Sequence, residues 1–86
     1  MNPEALVSER GKTHGDWEKQ ARLSQSLKGC IRLAQEPIRK LSKGQQEALE
    51  AILVKVSRIV CGDPCTADHW NDIAGYAVLG RDSQGL

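Results

Sequence analysis

The segment "ALEAILVKVSRIVC", residues 48–61, constrains this chain most. Ala48, Leu49, Ile52, Leu53, Val56, Ile59 and Val60 recur at three- and four-residue steps, the spacing of one face of an α-helix. Its β-branched content would also suit a strand, but the period fits 3.6 better than 2 and no second strand exists to pair with it. Ser42 followed by Gln45 forms a capping-box pattern at its start, and Gly62 stands where it should stop. A helix with so wide an apolar stripe is expected to be the core, and it requires other helices to cover it.

The remaining sequence supplies them. Asn2 and Pro3 form an N-cap with proline at the first helical position, which predicts a short helix to about Arg10, with "GKTHG" at 11–15 as a loop. Asp16 caps a longer helix with apolar positions Trp17, Ala21, Leu23, Leu27, Cys30, Ile31 and Ala34. Pro37 should end it, because proline lacks a donor and disfavours helix in Glu36. Beyond the "GDPCT" turn, a last helix begins at Thr66 or Ala67 and ends near Gly80, with Trp70, Ile73, Ala74, Ala77 and Val78 as its buried stripe. The expected fold is all-α: one small domain, residues 1–86, built as an antiparallel bundle of three main helices. A lead-in helix and loop occupy 1–15, and a frayed polar tail occupies 81–86.

Charge and composition remove several function classes. Twelve Lys and Arg against eleven Asp and Glu give a net charge of +1, too little basic excess to hold a nucleic-acid duplex through its phosphates. Aromatic residues make up 3%, so a stacking platform for single strands has little to build with. No apolar run is long enough to span a membrane, and "MNPEALVSERGK" lacks signal-peptide order, which predicts a cytoplasmic protein. Cys30, Cys61 and Cys65 are then expected to be reduced, with Cys30 and Cys61 acting as small buried hydrophobes. So few aromatics in three modest helices also imply a thin core, which dimerisation would thicken, and a homodimer is expected.

Several groups could carry chemistry. "GKT" at 11–13 lacks the earlier glycine and the strand of a phosphate-binding loop. Cys61, Cys65 and His69 stand at four-residue steps, but this is none of the common zinc spacings and zinc is not expected. In the last helix Asp68 and Asp72 share a face, with His69 alongside and Gly75 and Tyr76 beyond them. A hard cation such as Mg²⁺ would relieve the repulsion between two adjacent carboxylates, whereas a plain structural role would leave Asp68 on the helix dipole and Asp72 paired. Lys55 and Arg58 interrupt the apolar run of the core helix, either as ion-pair partners of Asp72 or as phosphate ligands. Gly75 costs about 1 kcal/mol relative to alanine inside a helix, which suggests a neighbouring backbone or a ligand packed against it, helix packing first.

"ERGKTHGDW" at 9–17, "VKVSRIVCGDP" at 54–64 and "DHWNDIAGYAVLGRD" at 68–82 together resemble small phage and prophage proteins of uncharacterised function, including a phage domain associated with nucleotide modification. More distantly, the paired helices resemble the all-α MazG-like nucleotide pyrophosphohydrolases, in which helix-borne carboxylates bind Mg²⁺. That group carries Glu-Glu-x-x-Glu followed later by Glu-x-x-Asp. Here Glu47 and Glu50 stand for the first motif and His69 with Asp72 for the second, two acidic ligands short of the pattern.

Two functions follow as expectations. In one, a phage-encoded protein of the host cytosol binds a nucleotide or phosphorylated small molecule as a reduced MazG-like protein. His14, Lys55, Arg58 and Tyr76 then contact the ligand, and Asp68, Asp72 and Glu50 hold Mg²⁺. Any catalysis would be metal-dependent nucleotide pyrophosphohydrolysis. In the other, the chain is a non-catalytic interaction module, such as a phage accessory protein or an inhibitor of a host defence protein, and an exposed patch around Trp17 or Trp70 marks its docking site.

Overall fold

A computed structural model describes residues 2–34 and 41–83. The described residues form α1 (Pro3–His14), α2 (Trp17–Ala34), α3 (Lys43–Cys61) and α4 (Ala67–Asp82), with no strand among them. The protein is all-α, a small helical bundle. Arg58 of α3 meets Gln20 at the start of α2 while Glu50 meets Arg32 at its end, so these helices are antiparallel. Lys55 meets Asp72 and Ala48 meets Gly80, which makes α3 and α4 antiparallel as well. None of the helices is long and apolar enough to cross a membrane.

Local chemistry sets most helix ends. The Asn2 side chain accepts from the Ala5 amide at 2.7 Å, and Asp16 accepts from the Lys19 amide at 2.9 Å. Ser42 and Gln45 complete the capping box: the Gln45 amide donates to Ser42 Oγ at 2.9 Å and the Ser42 amide to Gln45 Oε1 at 3.1 Å. Two ends differ from expectation. Gly11 does not stop α1, which continues through "GKTH" to His14, because the break falls at Gly15 with φ +80°. At the other terminus α4 runs on to Asp82, and half-buried Ser83 hydrogen-bonds Ser42 Oγ at 3.1 Å, so 81–83 are not a frayed tail. Residues 84–86, and the stop expected at Glu36 and Pro37, lie outside the described residues.

The packing corrects the expected core. Helix α3 lies in the middle, with α2 and α4 on either side of it and not touching each other among the described residues. Ala48 is the only buried apolar residue described; the other buried positions are Gln20, Ser24, Ser57 and His69. Small polar residues thus line the seam between α2 and α3, where Ser57 returns its hydroxyl to the Leu53 carbonyl at 2.8 Å. Because α4 touches only α3 among the main helices, only a narrow face of it is covered: His69, Ile73, Tyr76 and Gly80. At Gly80 a Cβ would come within 3.1 Å of the Ala48 methyl, so glycine allows this close approach. Trp70, Ala74, Ala77 and Val78 of the expected buried stripe are exposed. Cys30 is exposed and Cys61 half-buried, rather than both being core residues.

Gly75 also departs from expectation, since a Cβ added there would meet nothing within 4 Å. It packs against neither backbone nor side chain, and its helical cost is uncompensated. Gly75→Ala should therefore stabilise the fold by about 1 kcal/mol, raising the melting temperature by roughly 4–8 °C. A melt with no gain would mean that this exposed position is covered in solution.

Candidate functional site

The site begins where α1 meets the far end of α3. The Asp63 amide donates to the Thr13 carbonyl at 3.0 Å, and a Cβ at Gly15 would collide with the Cys61 carbonyl. This interlock sets the last turn of α1 against the start of α4 and brings the His14 ring to 4.9 Å from that of His69, tilted by 45°. The turn before α4 is held by Asp63, whose side chain accepts from the Cys65 amide at 2.9 Å, and by Trp70, whose indole N–H donates to the Pro64 carbonyl at 2.8 Å.

A polar cavity of about 260 Å³ opens between α1, α3 and α4. Arg10 and His14 reach it from α1, Lys55 and Arg58 from α3, and Asp68 and Asp72 from α4. Thr13, Thr66 and His69 complete its wall. His14, Lys55, Arg58, Asp68 and Asp72 therefore line one cavity. Lys55 donates to Asp72 Oδ2 at 2.9 Å, and this hydrogen bond and charge hold the Asp72 carboxyl below its usual range. The ion pair expected between these helices is thus present and lies on the wall of the cavity.

Arg58 is oriented by a residue that sequence reasoning passes over. Gln20, 3% exposed, accepts from Arg58 Nε at 3.2 Å and donates from its amide to the His14 carbonyl at 3.2 Å. This fixes the guanidinium plane, and no acceptor among the described residues takes up its Nη groups. Nothing in the local sequence distinguishes Gln20 from a solvated helix residue. Arg10 is legible in principle, since it stands four residues before His14 and shares its face once α1 is extended to His14.

Two features give the cavity its character. First, burial, then the electrostatic effect of Arg58, neighbouring His69, Lys55 and Arg10, push the His14 imidazole down to about 4 from an ordinary 6.5. Second, Thr66 Oγ1 and His69 Nε2 are buried with no hydrogen-bond partner among the described residues. His69 is only 2% exposed, and an unmatched polar atom so deep costs about 1–3 kcal/mol.

Two neighbouring cavities extend the site. One, of about 250 Å³, shares Lys55 and Arg58 and adds Lys28, Glu47, Glu50 and Tyr76. Tyr76 thus stands beside the basic pair but not with His14. The other, of about 510 Å³, shares Arg10, His14 and Arg58, adds Gln20, and is otherwise apolar, with Leu6, Val7 and Trp17 on its wall.

The expected Mg²⁺ set does not assemble. Glu50 points to the α2 side, where Arg32 approaches at 3.6 Å and Gln46 donates at 3.0 Å, and it does not line the cavity of Asp68 and Asp72. No three His, Cys, Asp or Glu side chains converge among the described residues, Cys61, Cys65 and His69 included. The helix geometry is the reason: Glu50 and Lys55 are five residues apart and face different neighbours.

Residues 2–84 match the family described as Domain of unknown function (DUF6378). No curated protein and no solved structure matches the chain.

Proposed function

This chain belongs to the DUF6378 family, a domain of unknown function, and we propose that its cleft binds a phosphorylated small molecule, with a nucleotide as the ligand class. One observation carries the reading: Arg10, His14 and Arg58 line both the basic cavity and the apolar one beside it. A ligand with a phosphate at one end and a flat apolar ring at the other would use both halves. Arg10, Arg58 and Lys55 would meet the phosphate with charge-assisted hydrogen bonds. The unmatched Thr66 hydroxyl and His69 Nε2 would gain partners, while Trp17, 66% exposed, would stack on the ring.

The likeness to phage domains associated with nucleotide modification and to MazG-like proteins supports a nucleotide over other phosphorylated ligands. It also supports a phage or prophage origin, with the host cytosol as the place of action. Binding is the activity proposed, not hydrolysis. A pyrophosphohydrolase needs several carboxylates on its metal, and here Glu50 is occupied by Arg32 and Asp72 by Lys55.

Trp17 fluorescence in a Trp70→Phe background, with affinities checked against calorimetric titration of the parent chain, which keeps the Trp70–Pro64 bond, tests the reading directly, with inorganic phosphate and nucleoside mono-, di- and triphosphates titrated with and without Mg²⁺. Nucleotides should change Trp17 emission, and Arg10→Ala and Lys55→Met should each weaken binding about tenfold, the worth of one charged hydrogen bond. Equal affinity for inorganic phosphate would leave a phosphate site and remove the nucleotide. If no probe binds, or if both variants bind as the parent does, the cleft is not the site.

A further inference from the structure

We infer that a second copy of this chain covers the face of the helical layer opposite the cleft. The basis is the arrangement of α2, α3 and α4. With α3 in the middle and its neighbours apart, the three form one layer, and Lys28, Glu47 and Tyr76 show that all three border the cleft on one side of it. A domain normally buries its apolar surface between two layers. Among the described residues no second layer covers the opposite side, since α1 sits on the cleft side at one end, where it lines the cavities that contain Arg58.

On the other side each helix carries an apolar seam. In α3, Leu49, Leu53, Val56 and Val60 follow one another at steps of four, three and four, on the helix face opposite Glu47, Ala51, Val54 and Arg58 of the cleft. This is the spacing of alternating a and d positions in a coiled-coil seam. Val60 is 67% exposed and Leu49 37%, with Leu53 and Val56 half-buried between them, so the seam is open to solvent at both ends. Trp70, Ala74 and Ala77 repeat the spacing in α4, on the face away from Asp68 and Asp72, and all three are exposed. Leu23, Leu27 and Cys30 repeat it in α2, away from Lys28. Three parallel seams at one spacing make a ridged surface rather than scattered exposed side chains.

Area and charge identify the occupant. The chain exposes 6358 Å², whereas a compact monomer of its 9.4 kDa exposes about 5,000 Å². Its radius of gyration is 14.5 Å against about 12 Å expected for its length. Removing that excess from two chains buries roughly 2,700 Å², within the range of obligate homodimers. The seam positions from Leu49 to Val60, Trp70 to Ala77 and Leu23 to Cys30 are uncharged, and Arg81, the next step of the α4 seam beside Leu49 and Ala77, pairs with Asp82 at 2.8 Å, which limits like-charge repulsion between two copies of the face. With Ala48 as the only buried apolar residue described, this cover is part of the fold itself, which favours a partner made together with the chain. The two clefts would then face outward, and neither depends on the other.

The test is the mass of the full chain by light scattering, together with its melting temperature across a hundredfold range of concentration. A dimer is expected, melting higher as concentration rises. Val60→Glu and Leu49→Glu alter side chains already exposed in the single chain, and each should shift the mass towards the monomer. Val7→Glu, at an exposed position on the cleft side, should leave the dimer intact. A monomer with a concentration-independent melt would overturn the inference. So would a dimer that survives both seam variants, or one dissolved by Val7→Glu, because the copies would then meet elsewhere.

Discussion

Gly15→Ala is expected to be among the most damaging single-methyl changes in this chain. Gly15 has φ +80° and ψ −162°, a region that only glycine occupies without strain. An added Cβ would also collide with the Cys61 carbonyl at the end of α3. Strain alone costs about 1–3 kcal/mol, and the collision adds to it because its partner is backbone, which cannot rotate away. For a domain of this size the combined loss should lower the melting temperature by roughly 10–20 °C. A second outcome has the same cause: the strain could be relieved by release of α1 from α3. Proteolysis within residues 3–14 would then rise, and the His14 imidazole would titrate nearer its ordinary 6.5 than about 4. A Gly15→Ala protein that melts within about 2 °C of the parent and keeps α1 protected would show that the interlock does not hold the cleft together.

Acid should destabilise the fold before its carboxylates titrate. His14 is held neutral in the folded chain, its pKa lowered to about 4, and it regains 6.5 on unfolding. Between those values the unfolded chain takes up a proton that the folded chain refuses. Stability is therefore intact above pH 6.5, declines as pH falls towards 4, and loses nothing further from this group below that. The loss is on the order of 1–3 kcal/mol once solvent screening of a half-buried ring is allowed for. Asp72, whose carboxyl is lowered by Lys55, acts in the same direction but only below its ordinary 3.8, so the two windows separate. His14→Gln should flatten the upper window and leave the lower one. The charges around His14 also link it to the ligand: phosphate beside Arg10, Lys55 and Arg58 should raise its pKa, which proton NMR of the imidazole reads directly. An upper window that persists in His14→Gln would assign the acid sensitivity to another group.

Part of the cleft is legible in the residues themselves. Lys55 and Arg58 stand out as charges inside an apolar run, and Asp68 and Asp72 as a pair on one helical face. His14 enters only through the resemblance that "ERGKTHGDW" carries, because a helix ending near Arg10 would leave it in a loop. Gln20 and Thr66 carry no local signal of their place in the cleft. Glu50 is assigned by motif position, and the motif does not say which neighbour a helix face will meet.

What the sequence by itself determined is local. Asn2, Asp16 and the Ser42–Gln45 pair cap their helices through bonds three residues long, and the period of 48–61 makes α3 a helix wherever it packs. Tertiary structure alone decided which apolar stripes are covered, that α1 continues to His14, and that His69 is buried with an unmatched nitrogen. The reason is range: Gln20 fixes Arg58 across 38 residues and Ser42 meets Ser83 across 41. Helical period states that a face is apolar, whereas burial depends on what another part of the chain, or another chain, brings against it.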